Sequence, residues 1–160
     1  MSRTPKYRIV EALIDRHGRT YASASGIRLR DTPSPLFRLL TMSLLLSARI
    51  DAEIAVAACR ALGDAGWTTP EKMADARWEE RTRVLNHSGY ARYDERTSTM
   101  LADTSDLLIF RYNGDLRRLR DEADHDARKE RRSLQQFSGI GPTGAAIFAR
   151  QLALKRAKNL

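Results

Sequence analysis

The longest apolar stretch of the chain, residues 39–48, constrains the fold more than any other feature of the sequence. Arg38 and Arg49 flank it, and it has about half of the ~20 residues that a helix needs to span a bilayer. It therefore predicts a buried helix of a globular protein and no membrane span. Because residues 36–46 are apolar on most sides, we expect this helix at the centre of the molecule.

The rest of the sequence also predicts helices. Apolar residues recur at helical spacing, and no segment alternates with the period of two that is typical of a strand. Cap and proline signals predict where the helices begin. The predicted starts are Ser34-Pro35, Asp51, Thr69-Pro70, Asp115, Asp126 and Pro142. The predicted fold class is all-α, a compact multi-helix domain.

We expect the chain to have two parts. Residues 1–33 would form an N-terminal helix, over residues 7–17, followed by a loop or arm, and residues 34–160 would form one compact unit. The helix that follows Asp51 is expected to bury one apolar face, and the helix that Asp126 begins is expected to run through Phe137. The buried set predicted for the first of these is Ile54, Val56, Ala57, Cys59 and Leu62.

Charge and cysteine content narrow the function classes. The net charge is +8, but residues 128–160 carry eight basic groups and one acidic group. Such a local surplus is typical of a polyanion-binding surface, although a solvated helix face gives the same pattern. The single cysteine, Cys59, excludes a disulfide framework and a Cys-ligated iron–sulfur cluster within this chain. The start, MSRTPKYR, has no apolar signal region, which predicts a cytoplasmic protein.

The segment LQQFSGIGPTGAAIFARQ is the most informative motif and reads as helix, Gly-x-Gly turn and helix. Glycines allow the backbone to approach a partner closely, and the free N–H groups at the start of the second helix form an anion site. A compact turn between two helices is the alternative interpretation. The residues expected to lock the two helices together are Leu134, Phe137, Ile140, Ala145 and Ile147.

With this motif, the sequence resembles the helix–hairpin–helix base-excision DNA glycosylases, the superfamily of endonuclease III. Three blocks carry the resemblance, which covers roughly residues 34–150: SPLFRLLTMSLLLSARID, the segment from HSGYARYDE to FRYNGDL, and LQQFSGIGPTGAA. The resemblance implies a helix–hairpin–helix motif that binds double-stranded DNA. We also expect a monomer that has no membrane partner.

The resemblance also implies site residues. The hairpin would bind a DNA phosphate through the backbone of Gly139, Ile140, Gly141, Thr143 and Gly144. Arg49 falls where the family places a residue that fills the gap left by a flipped base, although it also suits an ordinary surface arginine at a helix end. The backbone carbonyls of Gln135, Phe137 and Ile140 would hold a monovalent cation, and no other cofactor is implied.

The chain departs from the family at the positions that carry chemistry. Thr143 stands where bifunctional members have the lysine nucleophile, which implies a monofunctional glycosylase if the protein is active. The family's catalytic aspartate is expected near or beyond position 157, and residues 145–160 contain no Asp or Glu. No catalytic residue is therefore assigned. Asp124 and Asp126 precede the hairpin, and Asp126 is interpreted as an N-cap. Asp94 and Glu95 are interpreted as residues that help to start a helix.

Three functions remain open from the sequence. The first is a monofunctional DNA glycosylase of base-excision repair. The second is a catalytically inactive or truncated DNA-binding module of the same fold. The third is a helical interaction domain in which the hairpin is only a turn.

Overall fold

A computed structural model describes residues 20–158. These residues form nine α-helices and one short 3₁₀ helix, with no β-strand among them, so the predicted all-α class is confirmed. The helices are α1 (Tyr21–Ala24), α2 (Pro33–Leu46), α3 (Ala52–Asp64), α4 (Pro70–Asp75), α5 (Trp78–His87), the 3₁₀ helix (Ala91–Tyr93), α6 (Asp94–Tyr112), α7 (Leu116–Glu122), α8 (Ala127–Leu134) and α9 (Pro142–Lys158). Within this part of the chain, no helix is long and apolar enough to cross a membrane.

Helix α2 lies at the centre, as its apolar sequence predicts. It packs against α3, α7 and α9, and most of its side chains are buried. It begins earlier than predicted, because Thr32 is the N-cap and Pro33 is the first helical residue. Both prolines fit the first turn, where an N–H has no intrahelical partner. Ser34 is therefore free of a capping role, and its hydroxyl donates to the Thr68 carbonyl at 2.7 Å.

Helix α3 buries a face that matches the predicted one in part, since Cys59 and Leu62 are buried as predicted. Its fully buried residues are Ala55, Ala58, Cys59 and Leu62. Of the predicted set, Ile54 and Val56 are only half-buried and Ala57 is exposed. The observed stripe follows the i, i+3, i+4, i+7 spacing, and its alanines leave room for α2 to approach closely. Burial also raises the pKa of the Cys59 thiol to about 11, so the thiol stays protonated.

The stretch predicted as a loop or arm is part of the core from residue 20 onward. The α1 residues Tyr21 and Ala22 are buried, as are Ile27 and Leu29. The Ala22 N–H donates to Gln151 Oε1 of α9 at 3.1 Å in a buried hydrogen bond. Residues 25–32 form no helix, as a loop would, but the apolar residues among 20–29 pack into the core and so do not form a free arm. The predicted helix over residues 7–17 lies outside the described residues, and the division at residue 33 stays a prediction.

A buried arginine fixes α6 against α4 and α5. The Arg81 side chain is 4% exposed. Its guanidinium donates to the carbonyls of Met73 and Ser98, at 3.1 and 3.2 Å, and to the Ala76 carbonyl. Because these hydrogen bonds satisfy the buried donors, the arginine serves as a structural link. Helix α6 is thereby held in place at one side of the groove described below.

Candidate nucleic-acid interface

Helices α8 and α9 flank a turn formed by residues 135–141, referred to below as the turn. Pro142 begins α9 as predicted, but α8 ends at Leu134 instead of Phe137. Phe137 is 2% exposed and packs on Tyr112 with ring centroids 6.3 Å apart, so the chain leaves the helix in order to bury this ring. The five residues predicted to lock the two helices together are all buried, as predicted.

Neighbouring helices hold the turn in place. The Thr104 hydroxyl of α6 donates to the Ser138 carbonyl at 3.0 Å. Gly139 has a φ of +84°, and a Cβ there would lie 3.0 Å from Met100 Sδ and 3.1 Å from Leu44 Cγ. Gly139 therefore has both a conformational and a packing reason to be glycine.

Gly144 also owes its identity to packing. A Cβ at this position would lie 2.6 Å from Ser47 Oγ. Because the first turn of α9 sits directly on the end of α2, glycine is needed for this close approach.

Gly141 differs from both, because a Cβ there would meet no atom within 4 Å and its φ is not positive. The fold of the free protein gives no reason for glycine at this position. Among the described residues, the N–H groups of Gly139, Gly141 and Thr143 donate to no backbone carbonyl. Three amides of the turn and the start of α9 therefore make no backbone hydrogen bond, and one of them, that of Gly141, belongs to a residue with open space beside its Cα. Amides without a backbone partner at a helix start are the donors that an anion site uses.

A groove of about 250 Å³ opens beside the turn. It is lined by the end of α2, the 3₁₀ helix, the first half of α6 and Gly139 of the turn. The structure thus brings Arg49 to the same groove as the turn. The lining residues are Leu44, Ser47, Ala48, Arg49, Tyr90, Tyr93, Arg96, Thr97, Met100 and Gly139.

Sequence reasoning missed Arg96 and Tyr93 as groove residues. Arg96 lies near the start of α6 and is exposed, like Arg49. The ring of Tyr93 is half-buried and carries the Arg92 guanidinium 5.3 Å from its centroid. Arg96 belongs to a segment that the family resemblance covers, but only the tertiary arrangement of α6, the end of α2 and the turn places it in the same groove as Arg49.

Tyr90 forms the floor of the groove and plays no ionic role there. Its side chain is buried, and its hydroxyl donates to the Leu45 carbonyl at 2.7 Å. Burial raises its pKa to about 12, so the hydroxyl stays neutral. The groove is therefore cationic at its rim, through Arg49 and Arg96, and largely uncharged below.

None of the ten lining residues is a carboxylate. The Asp126 carboxylate caps α8 by accepting from the Lys129 N–H at 2.9 Å, and this hydrogen bond lowers its pKa. Asp94 accepts from the Asn86 amide at 3.1 Å, at a separate groove of α5 and α6. Asp124 pairs with the Lys129 ammonium at 3.6 Å. The N-cap interpretation of Asp126 is confirmed, and Asp94 and Glu95 lie in the first turn of α6, as predicted.

Two observations bear on cofactors. Within residues 20–158, no group of three or more His, Cys, Asp and Glu side chains is placed to hold a metal ion. Of the carbonyls predicted to hold a monovalent cation, that of Phe137 accepts from the Ile140 N–H at 3.0 Å. The cation role of Gln135, Phe137 and Ile140 stays a prediction.

No protein-family model, curated protein or solved structure matches this chain. The resemblance to the helix–hairpin–helix glycosylases therefore stays a prediction. A function has to be inferred from the turn and the groove themselves.

Proposed function

We propose that this protein binds double-stranded DNA through the turn and the groove beside it, as a module of the helix–hairpin–helix type. The observation that carries the proposal is the contrast between Gly141 and its neighbours. Gly139 and Gly144 are glycines because the fold requires them, whereas Gly141 has open space around it and free amides beside it. A glycine that the fold does not need, next to free donors, suits a phosphate that approaches the backbone closely.

The groove supports the same partner. Arg49 and Arg96 place two guanidinium groups at its rim, and guanidinium groups form paired hydrogen bonds to phosphate oxygens. The basic surplus of residues 128–160 lies in the same part of the chain as the turn. Turn amides and groove arginines would then contact successive parts of one DNA backbone.

Salt dependence tests the proposal at its broadest. A labelled duplex is titrated with the protein at several salt concentrations between 50 and 200 mM. We expect the affinity to fall steeply with salt, because each phosphate contact contributes about −0.9 to the slope of log K against log salt. Absence of binding at the lowest salt concentration would overturn the proposal.

Gly141→Ala tests the turn itself. Since the free protein has room for the methyl group, we expect its thermal stability to stay nearly unchanged. The duplex affinity should fall about tenfold, which corresponds to the loss of a hydrogen bond to a charged group. Equal losses of stability and affinity would favour the simple-turn interpretation.

A variant with Arg49→Gln and Arg96→Gln tests the groove. Its matched control carries Arg77→Gln and Arg83→Gln, which remove the same charge from exposed arginines away from the groove. We expect the groove variant to lose more affinity than the control. Equal losses would remove the groove from the interface.

Base excision is a second candidate function, favoured by the size of the groove. Its volume of about 250 Å³ is below the usual range for drug-sized ligands and suits a smaller group, such as a single extruded base. Hydrolysis of the glycosidic bond also needs a carboxylate to stabilise the sugar cation, and the groove lining contains none.

Incubation with duplexes that carry uracil or an oxidised or alkylated base, followed by alkali, distinguishes the candidates. Protein-dependent cleavage would establish excision, whereas binding without cleavage would favour the inactive module.

A further inference from the structure

We propose that one face of α8, formed by Arg128, Arg131 and Arg132 and called here the α8 cation face, is a second phosphate-contact surface that extends the DNA interface beyond the turn. The inference rests on the proposed function, because duplex DNA is the partner of both surfaces. It assigns a role to residues that contribute neither to the turn nor to the groove.

Packing does not explain the composition of α8. Leu134 is its only buried residue. Arg128, Lys129, Arg131 and Arg132 are all exposed. These four cations among eight residues therefore contribute little to the core, and their identity needs another reason.

Ion pairing within the fold does not explain it either. Among the ion pairs formed within residues 20–158, none involves a residue of the α8 cation face. The adjacent Lys129 pairs with Asp124 at 3.6 Å, but both side chains are more than half exposed, and such pairs contribute little. Glu130, the one acidic residue of α8, is half-buried and lines an internal cavity together with Arg120.

One of the three cations is placed unfavourably for the helix. Arg128 lies in the first turn of α8, where the helix dipole disfavours positive charge, whereas Arg131 and Arg132 lie in the last turn, where the dipole favours it. Arg128 also lies three and four residues before Arg131 and Arg132, a spacing at which like charges repel. Helix stability therefore gives no reason for an arginine at position 128, whereas a phosphate backbone would neutralise all three charges.

The α8 cation face is continuous with the turn. The helical spacing places Gln135, the first residue of the turn, on the same side as Arg128 and Arg131. The Gln135 side chain donates to the Arg131 carbonyl at 3.3 Å, which keeps the chain helix-like up to this point. With eight residues, α8 is about 12 Å long, and duplex DNA carries one charge per ~1.7 Å of axis. A duplex held by the turn can therefore run along the α8 cation face and meet several phosphates.

The test measures the salt slope of duplex binding by a variant with Arg128→Gln and Arg132→Gln. The control variant, Arg77→Gln with Arg83→Gln, has the same net charge. We expect the slope of the α8 variant to become shallower by about two, and its affinity at 0.1 M salt to fall on the order of tenfold or more. The control should retain nearly all of the slope. The melting temperature of the α8 variant should stay constant or rise, because repulsion is relieved, whereas a structural role would lower it.

The outcomes separate this inference from the proposed function. If Gly141→Ala loses affinity while the α8 variant and the control behave alike, the α8 inference is wrong and the turn stays the DNA site. If only the α8 variant shows a shallower salt slope of duplex binding, the inference stands and the turn does not contact the DNA.

Polyglutamate is also tested as a competitor at matched charge. If it displaces the protein as effectively as duplex DNA does, the partner of the α8 cation face is an acidic protein segment, and the inference of DNA is overturned.

Discussion

Helices α7 and α8 follow one another in the chain, are similarly short and are both rich in arginine, yet two of the three arginines of α7 pair with a carboxylate whereas those of α8 do not. In α7, the Arg120 guanidinium forms a two-fold contact with the Asp31 carboxylate at 2.9 and 3.0 Å, and Arg117 is paired with Asp115 at 2.9 Å. In α8, Arg128, Arg131 and Arg132 have no such partner among the described residues. The comparison teaches that basic composition alone does not identify a binding surface. The cations that the fold leaves unpaired are the ones available to a partner.

The largest effect is expected at Gly139, a residue that the fold itself requires. Gly139→Ala should destabilise the protein by about 2 kcal/mol, because its φ is positive and the methyl group would crowd Met100 and Leu44. Urea unfolding measures this loss. Comparison with Gly141→Ala then distinguishes a glycine that the fold requires from a glycine that is available to contact a partner. Similar stabilities of the two variants would contradict it.

Asp31→Asn should lower the stability by about 1 kcal/mol. The Asp31 carboxylate is more than half exposed, which limits the gain from the pair. However, its loss leaves Arg120, whose side chain is 16% exposed, without its carboxylate. The salt slope of DNA binding should not change, in contrast to the α8 variant. A changed slope would mean that α7 also faces the DNA.

Arg128→Ala is expected to have the opposite sign and to stabilise the free protein by roughly 0.5 kcal/mol. The substitution removes repulsion with Arg131 and Arg132 and an unfavourable charge in the first turn of α8. Denaturant midpoints of the variant and the unmodified protein provide the measurement. A loss of stability would show that Arg128 has a structural partner, and the contrast between α7 and α8 would fail.

The smallest effect concerns pH. The hydrogen bond from Arg120 lowers the pKa of Asp31 below its ordinary value of 3.8. As the pH falls, the Asp31 carboxylate therefore binds a proton in the unfolded chain before it does so in the folded protein. The stability that the Asp31–Arg120 pair contributes is present above about pH 4–5. It is lost as the pH falls through the lower pKa of Asp31 in the folded protein. The stability difference between the protein and Asp31→Asn should shrink between pH 5 and pH 2, and a constant difference would contradict the pairing.

Local chemistry determines the features that the sequence predicts well. Thr69 accepts from the Lys72 N–H at 3.2 Å, and Asp115 and Asp126 cap α7 and α8 with their carboxylates. Each of these caps acts within three residues, so single-sequence reasoning can find it.

Long-range contacts determine the features that the sequence does not predict. Residues 20–29 read as a loop because their polar and small residues lack periodicity, yet Ala22 bonds to Gln151 and Asp31 to Arg120. Phe137 ends α8 early because Tyr112 of α6 offers its ring a buried contact. Arg49 was a candidate only through the family resemblance, whereas Arg96 becomes one only when α6 packs beside the turn.

The hydrogen bond from Thr104 to Ser138 has a consequence for the spacing of the proposed contacts. Arg96 and Thr104 belong to one continuous helix, and their separation of eight positions corresponds to about 12 Å along its axis. Helix α6 therefore fixes the distance between the turn and Arg96. A DNA strand that contacts both would advance by about three to four nucleotides along the duplex axis.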